Sequence, residues 1–438
     1  MKREHAPHLS QFDGHHVHSW YAATAPLRER YPVLGEVVRC DVCVVGAGLT
    51  GLSCALVLAE KGLSVALLEG ALVGFGATGR NGGQILHGFA APLTRFAQQL
   101  GHRAAQQCWE ASLDGVSLIA NRIHQHQIDC ELRWGFLTTA SNRHQQQQLR
   151  KQQAMLESCA YHDAQWLEGS TLAEHINSPH YSAALHDSGC GHLHPLKYAQ
   201  GLARAAFRAG VRLFEHSPIT SIDEDRLGLQ IGTPNGWVRA DKMVLACNVD
   251  IGALQPQLRR SILPVESHII ATAPLTAQQA ASLLPQGAAV CSSDKLPDYF
   301  RLTPDYRLLF GGRSSRPYAQ RQSVVAERHA RMASIFPMLR HSQIDYAWSG
   351  HVDIGPARLP QIGRQSQRIY HAQGFAGHGL AFTGIAGQMI AEAIAGDLGR
   401  FDIFNKLYAH PLPLPASMEE SLIRLGSMYY RLRDALGF

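Results

Sequence analysis

The sequence predicts an α/β fold, a parallel sheet assembled from discontinuous pieces around an inserted α+β lobe, and three observations carry that expectation. Residues 40–70, CDVCVVGAGLTGLSCALVLAEKGLSVALLEG, run strand, glycine turn, helix, strand in the order of a βαβ unit. A glycine-rich loop, GFGATGRNGGQ at 74–84, follows where a further β-α alternation would stand. A second glycine turn entering an apolar helix, GFAGHGLAFTGIAGQMIAEAIAG, arrives only at 374–396, so one layer is built from distant parts of the chain.

Taken in order, residues 1–38 are a polar leader carrying His5, His8, His15, His16 and His18, expected to be solvated and partly disordered rather than a metal-binding tail. Cys40 to Val45 is an apolar, β-branched run suited to a strand buried on both faces. Gly46 permits the tight turn, Gly48 lets the backbone approach a pyrophosphate, and Gly51 lets the helix at 49–61 pack close to the strand. That helix starts at Leu49 and Thr50, so its N-terminal amides face phosphate charge. Gly62 caps it, the second strand covers 63–68, and Glu69 stands 18 residues past Gly51, where a carboxylate accepts hydrogen bonds from a ribose. Residues 40–70 are therefore a Rossmann-type dinucleotide site.

The loop at 74–84 selects the dinucleotide. Its five glycines lay backbone along a large planar ligand through Gly76, Ala77, Thr78, Asn81, Gly82, Gly83 and Gln84, while Arg80 meets a phosphate or a ring carbonyl. A flexible linker would be Ser-rich and lack the apolar Phe75 and Ile85. FAD fits better than NAD, which needs neither this loop nor the turn at Gly374, Gly377, His378, Gly379 and Leu380, a second set of amides for the flavin.

Further along, a polar helical stretch covers 92–127 and RHQQQQLRKQQ from Arg143 forms a surface helix of the inserted lobe. An amphipathic helix at 198–209 leads into strands at 211–215, 218–222 and 243–246 that return to the nucleotide sheet and bring Ile219 to the cofactor. Strands at 264–273 and 299–310 build the substrate lobe, and the chain re-enters the FAD layer near Trp348. The expected division is thus 39–127, 196–262 and 346–405 for the FAD domain and 128–195 with 263–345 for the lobe. In the tail, 406–438, Leu422, Leu425, Tyr429, Leu432 and Leu436 recur at helical spacing, which suits a lid or docked helix better than a membrane-surface one.

Composition excludes other classes. With 438 residues and 45% apolar content the chain buries a large core. A net charge of +5 without a lysine run or a basic aromatic stripe gives no support to nucleic-acid binding. Nine irregularly spaced cysteines argue against a disulfide framework, and Cys40 and Cys43, three apart on a strand, point to opposite faces and make no metal site. No signal peptide and no membrane-length apolar run are apparent, which predicts a cytoplasmic protein without integral membrane contact. The oligomeric state is not legible.

Both glycine motifs, together with SWYAATA near residue 20, SGCGHLHPL at 188–196, DYFRLTPDYRLLFGG at 298–312, Trp348-Ser349-Gly350 and GFAGHG at 374–379, resemble the D-amino-acid-oxidase superfamily. Within it the γ-glutamylputrescine oxidase branch is the most similar. The resemblance implies a glutathione-reductase-like FAD domain and oxidation of a small-molecule amine to an imine that hydrolyses to an aldehyde, with O2 reduced to H2O2. Tyr299, Arg301, Trp348 and His378 are the expected catalytic set, with Tyr299, Phe300 and Trp348 as aromatic walls that disfavour a buried ammonium. His192 and His194, projecting to one face of an extended segment beside Pro195, join Phe300, Arg313 and His351 as substrate candidates.

Departures from the superfamily pattern narrow the substrate. The lysine that follows the GHG turn in sarcosine-oxidase-like members is Ala381 here, and His351-Val352-Asp353 stands where amino-acid oxidases carry an arginine. A carboxylate next to the reacting carbon lacks its usual anchor. An amine with a distant carboxylate reaching Arg301 or Arg313 is expected, with a cyclic or N-alkyl amino acid such as pipecolate or sarcosine, or a non-catalytic flavin protein, as alternatives. Leu309 replaces the lysine that promotes oxygen reaction in sarcosine oxidases, which leaves a dehydrogenase open, and no cysteine follows Cys291, so the FAD is expected to be non-covalent.

Overall fold

The computed structural model describes residues 7–26, 29–312, 321–407 and, in the tail, 421, 423 and 426. Leu422, Leu425, Tyr429, Leu432 and Leu436, on which the tail helix is expected, and the candidate Arg313 lie outside the described residues.

Among the described residues two sheets organise the chain. The first runs Gln361–Arg364, Ile369–Gln373, Trp237–Leu245, Val37–Val45, Val65–Leu68, Arg212–Phe214, parallel throughout except at its first pair. Its central strand is buried on both faces, as its apolar run requires: Val42 and Val44 enter the core under the helices, Cys43 and Val45 the core on the other side. The hairpin Ser221–Asp225 and Gly228–Gly232 joins Trp237–Leu245 antiparallel. The strand expected at 218–222 therefore begins later and belongs to that hairpin, because Pro218 has no N–H for a ladder.

The second sheet, mostly antiparallel, runs Ile344–Ile354, Leu263–Thr272, Leu308–Gly312, Tyr299–Leu302, Ala289–Ser292, Arg133–Ala140, Ala183–His192, Gln84–Ile85. Ile344–Ile354 pairs with Leu263–Thr272 over almost its whole length. Trp348 thus sits inside the second sheet, and the first is rejoined only at Gln361–Arg364. Gly350 in that strand permits a close approach, since a Cβ there would lie 3.0 Å from the Arg80 Cβ. Likewise the helix expected over 92–127 is broken at Gly101 (φ +84°) into Leu93–Leu100 and His102–His126.

Two glycine-bearing helices fix where a ligand goes. Leu49–Glu60 and Gly379–Ile394 pack so closely that a Cβ on Gly387 would stand 2.3 Å from the Thr50 carbonyl, and Ser53 donates a hydrogen bond to the Gly384 carbonyl. This contact brings both N-termini to one side of the molecule. No single helix among the described residues is long and apolar enough to cross a membrane.

Candidate active site

A cavity of about 560 Å³ opens between the two sheets, and both helix N-termini reach it through Gly48, Leu49 and Thr50 and through His378, Gly379 and Leu380. At the first turn Gly46 has φ +101°, and a Cβ there would lie 2.6 Å from the Ala246 carbonyl. Gly51 lies behind the cavity: a Cβ would meet the Gly46 carbonyl at 1.9 Å, so it serves helix packing. Glu69 lines the cavity at the end of Val65–Leu68, and its two oxygens accept the Ala47 and Ala71 amides at 2.7 and 2.9 Å. Burial raises its pKa to about 7.

The glycine loop forms one long wall. Gly76, Ala77, Thr78, Arg80, Asn81, Gly82 and Gln84 line the cavity, with Ile219 at the nucleotide end. Asn81 braces the loop by donating to the Ala77 and Thr78 carbonyls and accepting from Gly83, which lies behind the wall. Arg80 is 3% exposed; it donates to the Phe75 carbonyl and the Gln11 side chain, yet its Nη2 has no hydrogen-bond partner among the described residues. Burial lowers its pKa to about 10. His351, His378 and Ser293 line the same cavity, and His351 Nδ1, His378 Nδ1 and Ser293 Oγ are likewise buried without hydrogen-bond partners among the described residues. An anionic diphosphate with a polar planar ring system satisfies such a set; an apolar ligand does not. Opposite, Asp353 accepts the Gly374, Phe375 and Ala376 amides and holds the second glycine turn in place, so Gly374 supports the wall without lining it.

The family description "FAD dependent oxidoreductase" (DAO) matches residues 41–393, which hold all of the cavity lining except His8 and Leu9. The chain belongs to the FAD-dependent oxidoreductase family. It is 38% identical over 424 residues to the probable oxidoreductase OrdL of Haemophilus influenzae, covering 96% of this chain and 97% of that one. It is 37% identical over 425 residues to the gamma-glutamylputrescine oxidoreductase of Escherichia coli K12, covering 96% and 99%. Among solved structures, glycine oxidase from Geobacillus kaustophilus superposes with a TM-score of 0.68 at 22% identity, over 83% of this chain and 98% of that one. FAD is the cofactor of this oxidoreductase. Glu69, Thr78, Arg80 and the two helix N-termini are the groups that would hold it.

The oxidoreductase brings only part of the expected substrate set to the cavity. Tyr299, His351 and His378 line it; Arg301, Trp348, Phe300, His192 and His194 do not. Strand alternation separates Tyr299 from Phe300: Tyr299 and Arg301 share one face of Tyr299–Leu302, while Phe300 faces the lobe core and stacks on Phe310 at 5.6 Å. The Tyr299 ring lies against Gly82 on one side and Gly311 on the other, where a Cβ would come within 2.9 and 2.1 Å of it. Its hydroxyl meets Ser267 at 3.0 Å, and burial raises its pKa to about 12.

Arg301, expected to anchor a carboxylate, is a 2% exposed brace donating to the carbonyls of Gly82 and Leu193 and to the Tyr21 hydroxyl. Trp348 is no cavity wall: its indole N–H donates to the Arg80 carbonyl at 3.0 Å. His194 caps the helix Pro195–Arg208 by accepting from the Lys197 amide, and His192 faces the Gly287 carbonyl. Burial accounts for both, since each keeps a neutral ring with pKa lowered to about 2 and about 3.

Residues that sequence reasoning passed over complete the walls: His8 and Asp250 at the nucleotide end, Ser267, Ser293, Lys295, Asp353 and Arg358 elsewhere. An acid inside the strand GHVDIG was a usable signal for Asp353. Lys295 and Arg358 come from loops whose sequence carries no periodicity.

Proposed function

We propose that this chain oxidises the C–N bond of an amine of the γ-glutamylputrescine type, in which the reacting carbon carries no carboxylate and a distant group is anionic. The net change is R–CH2–NH2 + O2 + H2O → R–CHO + NH3 + H2O2, through an imine. Bound FAD supplies the acceptor for the hydride equivalent leaving that carbon.

One observation carries the reading: positions that would anchor an adjacent carboxylate offer no cation. Ala381 is buried and apolar, and His351 is a neutral ring whose pKa burial and the neighbouring His8 push down to about 3. His378, at the start of Gly379–Ile394, is likewise held neutral, with a pKa near 4 set mainly by burial. Neutral rings suit an amine that must itself be neutral to lose hydride, because a second cation is not forced into the same buried space. Tyr299 presents an aromatic face and, with its proton directed to Ser267, a lone pair for the amine N–H. The likeness to the Escherichia coli gamma-glutamylputrescine oxidoreductase over 99% of its length supports the same substrate class.

A second reading, a cyclic or N-alkyl amino acid, draws on Arg358, a cavity cation close enough to lower the His378 pKa further. Anaerobic mixing of the yellow holoenzyme with an amine panel separates the two. Bleaching of the flavin band fastest with γ-glutamylputrescine supports the proposal, and preferential bleaching by sarcosine, pipecolate, glycine or D-alanine overturns it. Release of H2O2 on admitting air tests the acceptor.

A further inference from the structure

Part of the leader, expected to be solvated, lies in the cavity wall. His8 is 1% exposed, and His8 and Leu9 line the cavity wall. Three contacts tie this segment to three walls. Asp250, in the turn Asn248–Leu254 after the strand Trp237–Leu245, accepts the His8 amide at 2.8 Å, the Leu9 amide at 3.2 Å and His8 Nδ1 at 2.8 Å. From the second sheet, the His351 N–H donates to His8 Nε2 at 3.0 Å, and the two rings meet edge-on. From the glycine loop, Arg80 donates to Gln11 at 2.8 Å while Phe12 packs edge-on against Phe75.

The His351 donation fixes the chemistry of the middle contact. Nε2 must accept, so the ring proton sits on Nδ1 and points at Asp250. Asp250 thus receives three donors, all from the N-terminal segment. Burial opposes its charge, yet His8 and the two amides hold its pKa below the usual carboxylate range. Without them a buried carboxylate would stand uncompensated in the wall of a cavity that must take a dianionic diphosphate, with Glu69 close by.

We propose that the N-terminal segment is part of the FAD site: His8, with its own and the Leu9 amide, satisfies the Asp250 carboxylate by hydrogen bonds beside the place of a dinucleotide diphosphate, and the segment clasps the glycine loop and the turn after Trp237–Leu245 to the second sheet. This rests on FAD as cofactor and is independent of which amine is oxidised.

The test is the FAD dissociation constant, from titration of apoprotein followed by flavin fluorescence quenching, with apoprotein melting recorded alongside. His8→Ala is expected to weaken FAD about 30-fold, as befits loss of a hydrogen bond to a charged group. Adding Asp250→Asn to His8→Ala is expected to restore most of that loss, because the unpaired charge is gone. His8→Gln, which keeps a donor for Asp250, falls between wild type and His8→Ala and serves if the alanine variant does not fold. His15→Ala, at an exposed site of the same segment, leaves binding unchanged. Wild-type affinity in His8→Ala, or no recovery in the double variant, overturns the proposal.

Discussion

Replacing Arg301 by alanine removes a guanidinium that is 2% exposed and holds three parts of the chain together. Nε donates to the Gly82 carbonyl at 3.0 Å, and Nη2 donates to the Tyr21 hydroxyl and the Leu193 carbonyl, each at 3.2 Å. Alanine leaves these acceptors buried and unpaired, at roughly 1–3 kcal/mol each, and since they share one donor group the losses do not add. Taking about 4 kcal/mol for the broken network and about 2.1 cal/mol/K of unfolding entropy per residue, the melting temperature of a chain this long falls by about 4–5 °C. Because Gly82 lines the cofactor cavity, FAD retention falls with it. Arg301→Lys rescues little, for one ammonium cannot reproduce the fork that reaches three acceptors. Differential scanning fluorimetry of apo and holo protein, with kcat/KM for a carboxylate-bearing amine and for its amide analogue, checks the account. Equal losses on both substrates are expected. An Arg301→Ala protein that melts normally, keeps FAD and loses kcat/KM only for the carboxylate substrate would falsify it and return Arg301 to the substrate site.

Two further outcomes follow from the same geometry. Gly311→Ala places a methyl 2.1 Å from the Tyr299 ring, so the ring must leave its position between Gly311 and Gly82; flavin reduction by the preferred amine should slow at least tenfold (about 1.4 kcal/mol) while FAD binding is kept, and an unchanged reduction rate refutes Tyr299 as a cavity wall. On acidification, His192, His194, His351, His371 and His378, whose pKa values burial lowers to about 3, 2, 3, 4 and 4, must stay neutral when folded but protonate once unfolded. Their stabilisation is complete above pH 6.5 and is lost as pH falls, at up to about 1.4 kcal/mol per pH unit for each. Glu69 and Asp353, raised by burial to about 7 and about 6, act in the opposite sense, losing stability as pH rises through those values, but they are two against five. Melting temperature should therefore drop between pH 6.5 and 5, and a rise over that interval contradicts the buried neutral histidines.

The cofactor half of the site was legible because its information is local. Gly46, Gly48, Leu49, Thr50 and Glu69 do their work within one βαβ unit, and Gly76 to Gln84 within one loop, so spacing alone states the geometry. The substrate half was legible in one residue of three along Tyr299-Phe300-Arg301. Aromatic and charged side chains marked the strand as important, but alternation turns Phe300 away, and Arg301, on the same face as Tyr299, is taken up by the Gly82 and Leu193 carbonyls and the Tyr21 hydroxyl. Trp348 misled for a related reason: its ring supports Arg80 from outside the cavity.

What the sequence by itself determined is the layer whose glycine turns line the cavity and the identity of the cofactor, because a helix N-terminus, a glycine turn and an acid at a strand end act over a few residues. Tertiary structure alone decided that His8 meets Asp250, 242 positions away, that Arg301 braces the loop instead of facing a substrate, and that Lys295 and Arg358 supply cavity cations. Each of those outcomes depends on how two sheets close on one another, and side chains brought together by that closure leave no periodic trace in the chain.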